Sequence, residues 1–248
     1  MEAVTAPAQS IWGILESMKS NAFRRFARRE ELGLTPREFA VLQRLETPQK
    51  IQAFLNSITI NHEIGGETVL SVREVIRQRR SHCIEGAFLA ACSLWVHGQP
   101  PLVMHLDCDL SDYPHVIAVF RQHGHWGAIS KTNGVGLRYR DPIYRSLREL
   151  AMSYMHEYSN KQHRKTLRSY SGAFDMRRLD PSLWVTSEAP CWEAHDRLAA
   201  TRHYPLISRH QEKLLSTRDP FERLITKLLQ YPKPTIRMHP GSRTARKR

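Results

Sequence analysis

The hydrophobic periodicity of this chain changes from helical to extended at Pro100-Pro101, and that switch limits the folds open to it. Before the prolines, apolar residues recur at helical spacing. The strongest case is Ile84, Ala87, Phe88, Ala91 and Leu94 or Trp95, which share one face and end at the stop signal Gly98. Upstream, Thr35-Pro36-Arg37-Glu38 is a capping box with proline at the first helical position, leading into Phe39, Leu42 and Leu45. Thr47-Pro48 repeats the signal ahead of Ile51, Phe54, Leu55 and Ile58. Asn61 to Gly66 reads as a loop, and Ser71-Val72-Arg73-Glu74 opens a third helix with Val72, Val75 and Ile76. Ile11, Ile14, Leu15 and Met18 are spaced as a helical stripe near the start.

After the prolines the pattern is extended. Leu102 to Leu106, His115 to Arg121 and His125 to Lys131 read as strands, the last two joined by the tight turn Gln122-His123-Gly124 and so antiparallel. Leu137 to Arg140 reads as a fourth short strand. Asp141-Pro142 then reads as the cap of a helix with Ile143, Leu147, Leu150, Ala151 and Tyr154 on its apolar face. Beyond Asn160 the chain is polar and mixed until Asp219-Pro220-Phe221-Glu222, which signals a helix carrying Leu224, Ile225, Leu228 and Leu229. Helices first and an antiparallel meander afterwards predict an α+β fold, not alternating βαβ units. The expected division is an N-terminal helical segment (1–34), a core (35–160), a mostly helical or irregular extension (161–238) and a disordered basic tail (239–248).

Cys83 lies in or just before the first turn of the apolar helix, where unsatisfied N–H groups and the helix dipole favour a thiolate. The bland alternative is an inert buried cysteine, which is the better description of Cys92, further along the same helix. Cys108 and Cys191 lack such a context. A thiol nucleophile needs a base. His115 opens a strand and is preferred to His125, which sits beside the turn. Gln78 could donate to an oxyanion but reads better as an exposed helical glutamine, and Lys131 reads better as a strand end than as a carboxylate partner. His82, Cys83, His105, Cys108, His115, His123 and His125 lie close together in sequence, yet there is no C-x-x-C and His105-x-x-Cys108 is a lone half-site. No metal and no cofactor are expected.

A hydrophobic content of 41% supports a sizeable core. The net charge of +13 invites a nucleic-acid reading. The basic residues are scattered, however, over Arg24 to Arg29, Arg77 to Arg80, Arg177-Arg178 and Arg243 to Arg248, which fits a solvated basic surface better. No apolar stretch reaches the roughly 18 residues that suggest a membrane span, and Met1 to Ser20 shows no secretory pattern. Four cysteines in 248 residues do not suggest a disulfide framework, so a reducing, cytoplasmic setting is expected.

Taken in order, Cys83 with Glu85 and Gly86, the Gly98-Gln99-Pro100 break, the strand His115 to Phe120, Gly124 and the strand with Trp126 resemble the transglutaminase-like superfamily of the papain-like branch. The segments Trp126 to Asn133 and Leu137 to Pro142 resemble an uncharacterised bacterial subgroup of it. The match covers residues 70–135 most fully. It implies a papain-like fold, Cys83 as nucleophile, His115 as base, and acyl transfer from a peptide or protein substrate by a cysteine peptidase, amidase or transglutaminase-like enzyme. The family usually has an aspartate four residues past the tryptophan; here Ser130 stands there. Ser130 is the first candidate for the third member, with Asn133 and Asp141 as rivals. The missing carboxylate also motivates two alternatives: a transglutaminase-like fold kept as a protein-interaction module, or a basic nucleic-acid-associated protein.

Overall fold

Side-chain caps begin the N-terminal helices of the computed structural model, which describes residues 26–233. After a single turn, α1 (Arg29–Leu32), comes α2 (Pro36–Gln43), where the Thr35 side chain accepts from the Glu38 N–H. In α3 (Pro48–Ser57), Thr47 accepts from Lys50, and in α4 (Val72–Gln78), Ser71 accepts from Glu74. Two short strands, β1 (Thr59–Ile60) and β2 (Arg80–Ser81), pair in parallel. They lead into α5 (Cys83–Val96), which is buried from Ile84 to Trp95. Burial all round explains why this helix is apolar all round: it packs on α2, α3 and α4 on one side and on the sheet on the other.

The sheet consists of β3 (Leu102–Cys108), β4 (His115–Gln122), β5 (His125–Ile129), β6 (Arg140–Tyr144), β7 (Leu167–Ser171), β8 (Phe174–Asp175) and β9 (His203–Pro205). Its order is β6-β5-β4-β3-β7-β9, with β8 also on β3, and every pairing is antiparallel. The architecture is thus α+β. Alternation along β4 divides the core in two. Val116, Ala118 and Phe120 join the helical layer with Phe88 and Leu55. Ile117 and Val119 face Leu150, Tyr154 and Tyr158, in and after α6 (Leu147–Met152).

Three expectations need correction. Asp141-Pro142 does not cap a helix; it lies inside β6, and Ile143 is exposed. β6 is an edge strand, where proline's missing N–H is tolerated, and the helix start passes to Ser146, which accepts from Glu149. The expected fourth strand therefore shifts from 137–140 to Arg140–Tyr144. Second, the division at residue 160 cuts through one sheet, because β7 hydrogen-bonds to β3 and β9 to β7. Third, Asp219 accepts from the N–H groups of Phe221 and Glu222 as a cap should, but only a 3-10 helix follows (Glu222–Lys227), and Leu224, Ile225, Leu228 and Leu229 are exposed. The stripe Ile11 to Met18 and the tail 239–248 lie outside the described residues. Among the described residues, no helix is long and apolar enough to cross a membrane.

Candidate active site

β4 and β5 bring His115 and Ser130 together. Ala118 pairs with Ile129, so continuing the register sets Ser130 opposite Ile117, on the same sheet face as His115. The His115 Nε2 lies 2.8 Å from Ser130 Oγ. Ser130 Oγ in turn donates to the Leu137 carbonyl at 2.5 Å. A hydroxyl has one proton. With that proton directed at Leu137, Ser130 can only accept from His115, so Nε2 carries a hydrogen and the hydrogen bond between His115 and the Cys83 thiol is left to Nδ1.

The loop is built to hold this geometry. Gln52, on α3, brackets the Ser130 backbone: the Ser130 N–H donates to Gln52 Oε1 at 2.9 Å and Gln52 Nε2 donates to the Ser130 carbonyl at 2.8 Å. Leu137 has φ 59°, a left-handed conformation uncommon for leucine. Its N–H donates to Glu157 Oε2 at 2.7 Å while its carbonyl receives Ser130. Glu157 is held by Arg140 at 2.7 Å.

Cys83 arrives from the opposite side, at the first turn of α5, and is half-buried. Gly86 lets the chain after Ser130 approach that turn: a Cβ there would sit 2.6 Å from Lys131 Cβ. Lys131 is buried, not a substrate anchor. Its Nζ donates to the Leu55 and Ile58 carbonyls at 2.7 and 2.6 Å, capping the end of α3. Burial, assisted by Arg138, lowers its pKa to about 8.

A second imidazole reaches the sulfur. His82 Nδ1 is 3.9 Å from Cys83 Sγ. On its other side, His82 Nε2 lies 2.9 Å from the Thr68 carbonyl, 3.2 Å from Glu85 Oε1 and 3.4 Å from Glu63 Oε1. Glu85 is fully buried and receives hydrogen bonds from Asn61 Nδ2, Thr68 Oγ1 and the N–H groups of Leu70 and His82, the last three at 2.8–2.9 Å.

These contacts set the charges. Burial opposes ionisation of the Cys83 thiol, but the hydrogen bonds and charges of His115 and then His82 prevail and hold its pKa well below the ordinary thiol value. Burial likewise opposes a charged His82; Cys83 and Glu85 outweigh it and raise the imidazole to about 11. Glu85 is lowered, burial again losing to His82 and to the Leu70 and His82 N–H groups. The other cysteines move the opposite way: burial raises Cys92, and raises Cys108 and Cys191 to about 12.

Of the proposed third members, Ser130 touches His115 and the rivals do not. Asn133 uses its amide on the Tyr231 backbone, giving to the carbonyl and taking from the N–H at 2.8 Å each. Asp141 is exposed on β6. His125 bonds the His123 carbonyl at the far end of the hairpin, and Gln78 is exposed and tied to Glu74 and Arg80. No group of three or more metal-ligating side chains converges among the described residues. The site roles of His82, Gln52 and Leu137 escaped the sequence reading, which weighed His82 only as a metal ligand and Leu137 only as a strand start. A histidine before the cysteine with a glutamate three residues on was a usable signal for His82; nothing in the sequence marked Gln52 or Leu137.

No protein-family model matches the chain, and no curated protein matches it.

Proposed function

We propose that the protein is a thiol acyl-transfer enzyme, transglutaminase-like in its site and papain-like in the packing of the Cys83 helix on an antiparallel sheet. The observation that carries this reading is geometric: Cys83 stands at the first turn of α5 beside His115, whose Nε2 lies 2.8 Å from Ser130 Oγ, and the lowered thiol is in keeping with it. A lowered thiol at a helix start is the form in which cysteine acts as a nucleophile.

The Cys83 proton passes to His115 Nδ1. The thiolate attacks an acyl carbonyl carbon, forming the C–S bond and an oxyanion that the Cys83 N–H can receive. As the oxyanion collapses, the C–N bond of an amide breaks and the departing amine takes the proton from His115. Water or a second amine then attacks the thioester while His115 accepts its proton; the C–S bond breaks and the thiolate returns. Water makes the protein a peptidase or amidase, and an amine makes it a transglutaminase. The substrate is an amide of a peptide or protein. Ser130 orients the imidazole without adding charge, so His115 works without a directly bonded carboxylate.

Iodoacetamide labelling tests the reading. Cys83 should alkylate at pH 6.5 well ahead of an ordinary thiol, whose pKa is about 8.5, and ahead of Cys92, Cys108 and Cys191. Labelling no faster than an ordinary thiol would favour a non-catalytic interaction module instead.

A further inference from the structure

The acyl-transfer reading leaves one imidazole without a task. His82 precedes the nucleophile, contacts its sulfur, and is fastened on its other side to a fully buried glutamate. Its Nε2 meets only acceptors: the Thr68 carbonyl at 2.9 Å, Glu85 at 3.2 Å and Glu63 at 3.4 Å. That nitrogen therefore carries a hydrogen. Glu85 accepts from one amide side chain, one hydroxyl and two backbone N–H groups, a donor set that favours the ionised carboxylate. A buried carboxylate needs a cation nearby, and His82 is the one bonded to it. A protonated His82 presents an N–H at Nδ1, directed at Cys83.

We infer that His82, fixed by Glu85, is a positioning residue that supplies a standing positive charge to the Cys83 sulfur, so that two imidazoles act on it: His115 bonds the thiol and moves its proton, and His82 adds a charge that stays in place. The inference rests on the acyl-transfer reading and deepens it. It places the carboxylate that the family position at Ser130 lacks on the other side of the sulfur, acting through a different ring. At 3.9 Å the Nδ1–Sγ contact is long for a charge-assisted hydrogen bond, so its influence is chiefly electrostatic and does not hold the sulfur back from a carbonyl. The charged and titratable groups around His82 are Glu63 from the loop after β1, Glu85 and Cys83 from α5, and, across the sulfur, His115 from β4 and Tyr158 from the segment after α6. The raised His82 pKa is in keeping with this arrangement.

The test is the rate of Cys83 alkylation by iodoacetamide against pH, followed on the Cys83 peptide in the full chain, for wild type, His115→Ala and His82→Gln. His82→Gln should raise the pH of half-maximal alkylation by about one unit or more, with the rate at high pH, where the thiol is ionised in both proteins, kept within about threefold. His115→Ala removes the other group that holds the thiol low, so its alkylation profile should also move to higher pH. A profile unchanged from wild type in His82→Gln overturns the inference. The underlying reading fails separately: it is lost if wild-type Cys83 itself shows no acidic thiol, and it survives if wild type labels fast and only His82→Gln is silent. Because a variant at this buried site can misfold, the unmutated protein supplies an independent readout. Its His82 ring resonances should not titrate between about pH 5 and 9, whereas titration near the ordinary value of about 6.5 contradicts the proposal.

Discussion

Ser130 serves His115 as a hydrogen-bond acceptor and not as a charge: its Oγ lies 2.8 Å from Nε2 and gives its own proton to Leu137. A hydroxyl fits this place because it accepts on one side and donates on the other. An ionised aspartate only accepts, and would set a carboxylate against the Leu137 carbonyl. Ser130→Ala should therefore lower kcat by about tenfold, the equivalent of one hydrogen bond of about 1.4 kcal/mol. Ser130→Asp should fail to raise activity even though it adds a carboxylate. Steady-state hydrolysis of an activated acyl ester by the two variants checks both; a gain in Ser130→Asp would contradict the role given to Leu137.

Charge coupling at the sulfur should be visible in stability. His82 has a raised folded pKa, so its contribution is complete below the unfolded value of 6.5 and is lost as pH rises toward about 11. Cys83 has a depressed pKa, so its contribution is complete above the unfolded value of 9.0 and is lost as pH falls. Between these unfolded values the slopes have opposite sign and offset each other. Cys83→Ser removes the second term and part of the first, since Cys83 itself raises His82; with Glu85 still in place, its stability should fall as pH rises above 6.5, at up to about 1.4 kcal/mol per pH unit. Urea unfolding of wild type and Cys83→Ser at three pH values measures it.

The helix positions, their caps and the β4–β5 hairpin were legible in the sequence because they depend on local chemistry: Thr35, Thr47 and Ser71 each cap the helix they announce. Ser130 was reached through the resemblance, by its place four residues past Trp126; strand pairing then sets it on the same face as His115. Asp141-Pro142 misled because the same dipeptide suits a helix cap and an edge strand, and only the neighbour Trp126, paired with Tyr144, decides between them. β7 and β9 were missed because Leu167-Arg-Ser-Tyr-Ser171 has little apolar alternation; its place is fixed by pairing with β3, far away in sequence. The role of Gln52 depends on a contact with Ser130 across 78 positions, which no local pattern encodes.

Gly86 is required by the approach of Lys131. Gly86→Ala would place its Cβ 2.6 Å from Lys131 Cβ, and overpacking of this kind costs about 1–3 kcal/mol. A thermal melt should show a fall in Tm of roughly 2–12 °C. Gly134→Ala is the control: a Cβ there has open space within 4 Å, and its Tm should match wild type.

Gln52→Leu should cost both stability and activity. It leaves the Ser130 N–H and carbonyl without their Gln52 partners in a buried setting, at about 1–3 kcal/mol for each unsatisfied group. Chemical denaturation reports the first effect. A lower kcat at unchanged KM, in conditions where the variant is folded, reports the second through the loosened Ser130–His115 pair.

Trapping the acyl-enzyme tests the central claim most directly. The full chain is mixed with an activated acyl ester, quenched in acid within the first turnover, and mapped by peptide mass spectrometry. The account expects a thioester on Cys83 that clears with time in wild type, while in His115→Ala the first acylation is slowed and any thioester formed persists. No acyl group on Cys83, or acylation confined to Cys108 or to lysine side chains, would contradict it.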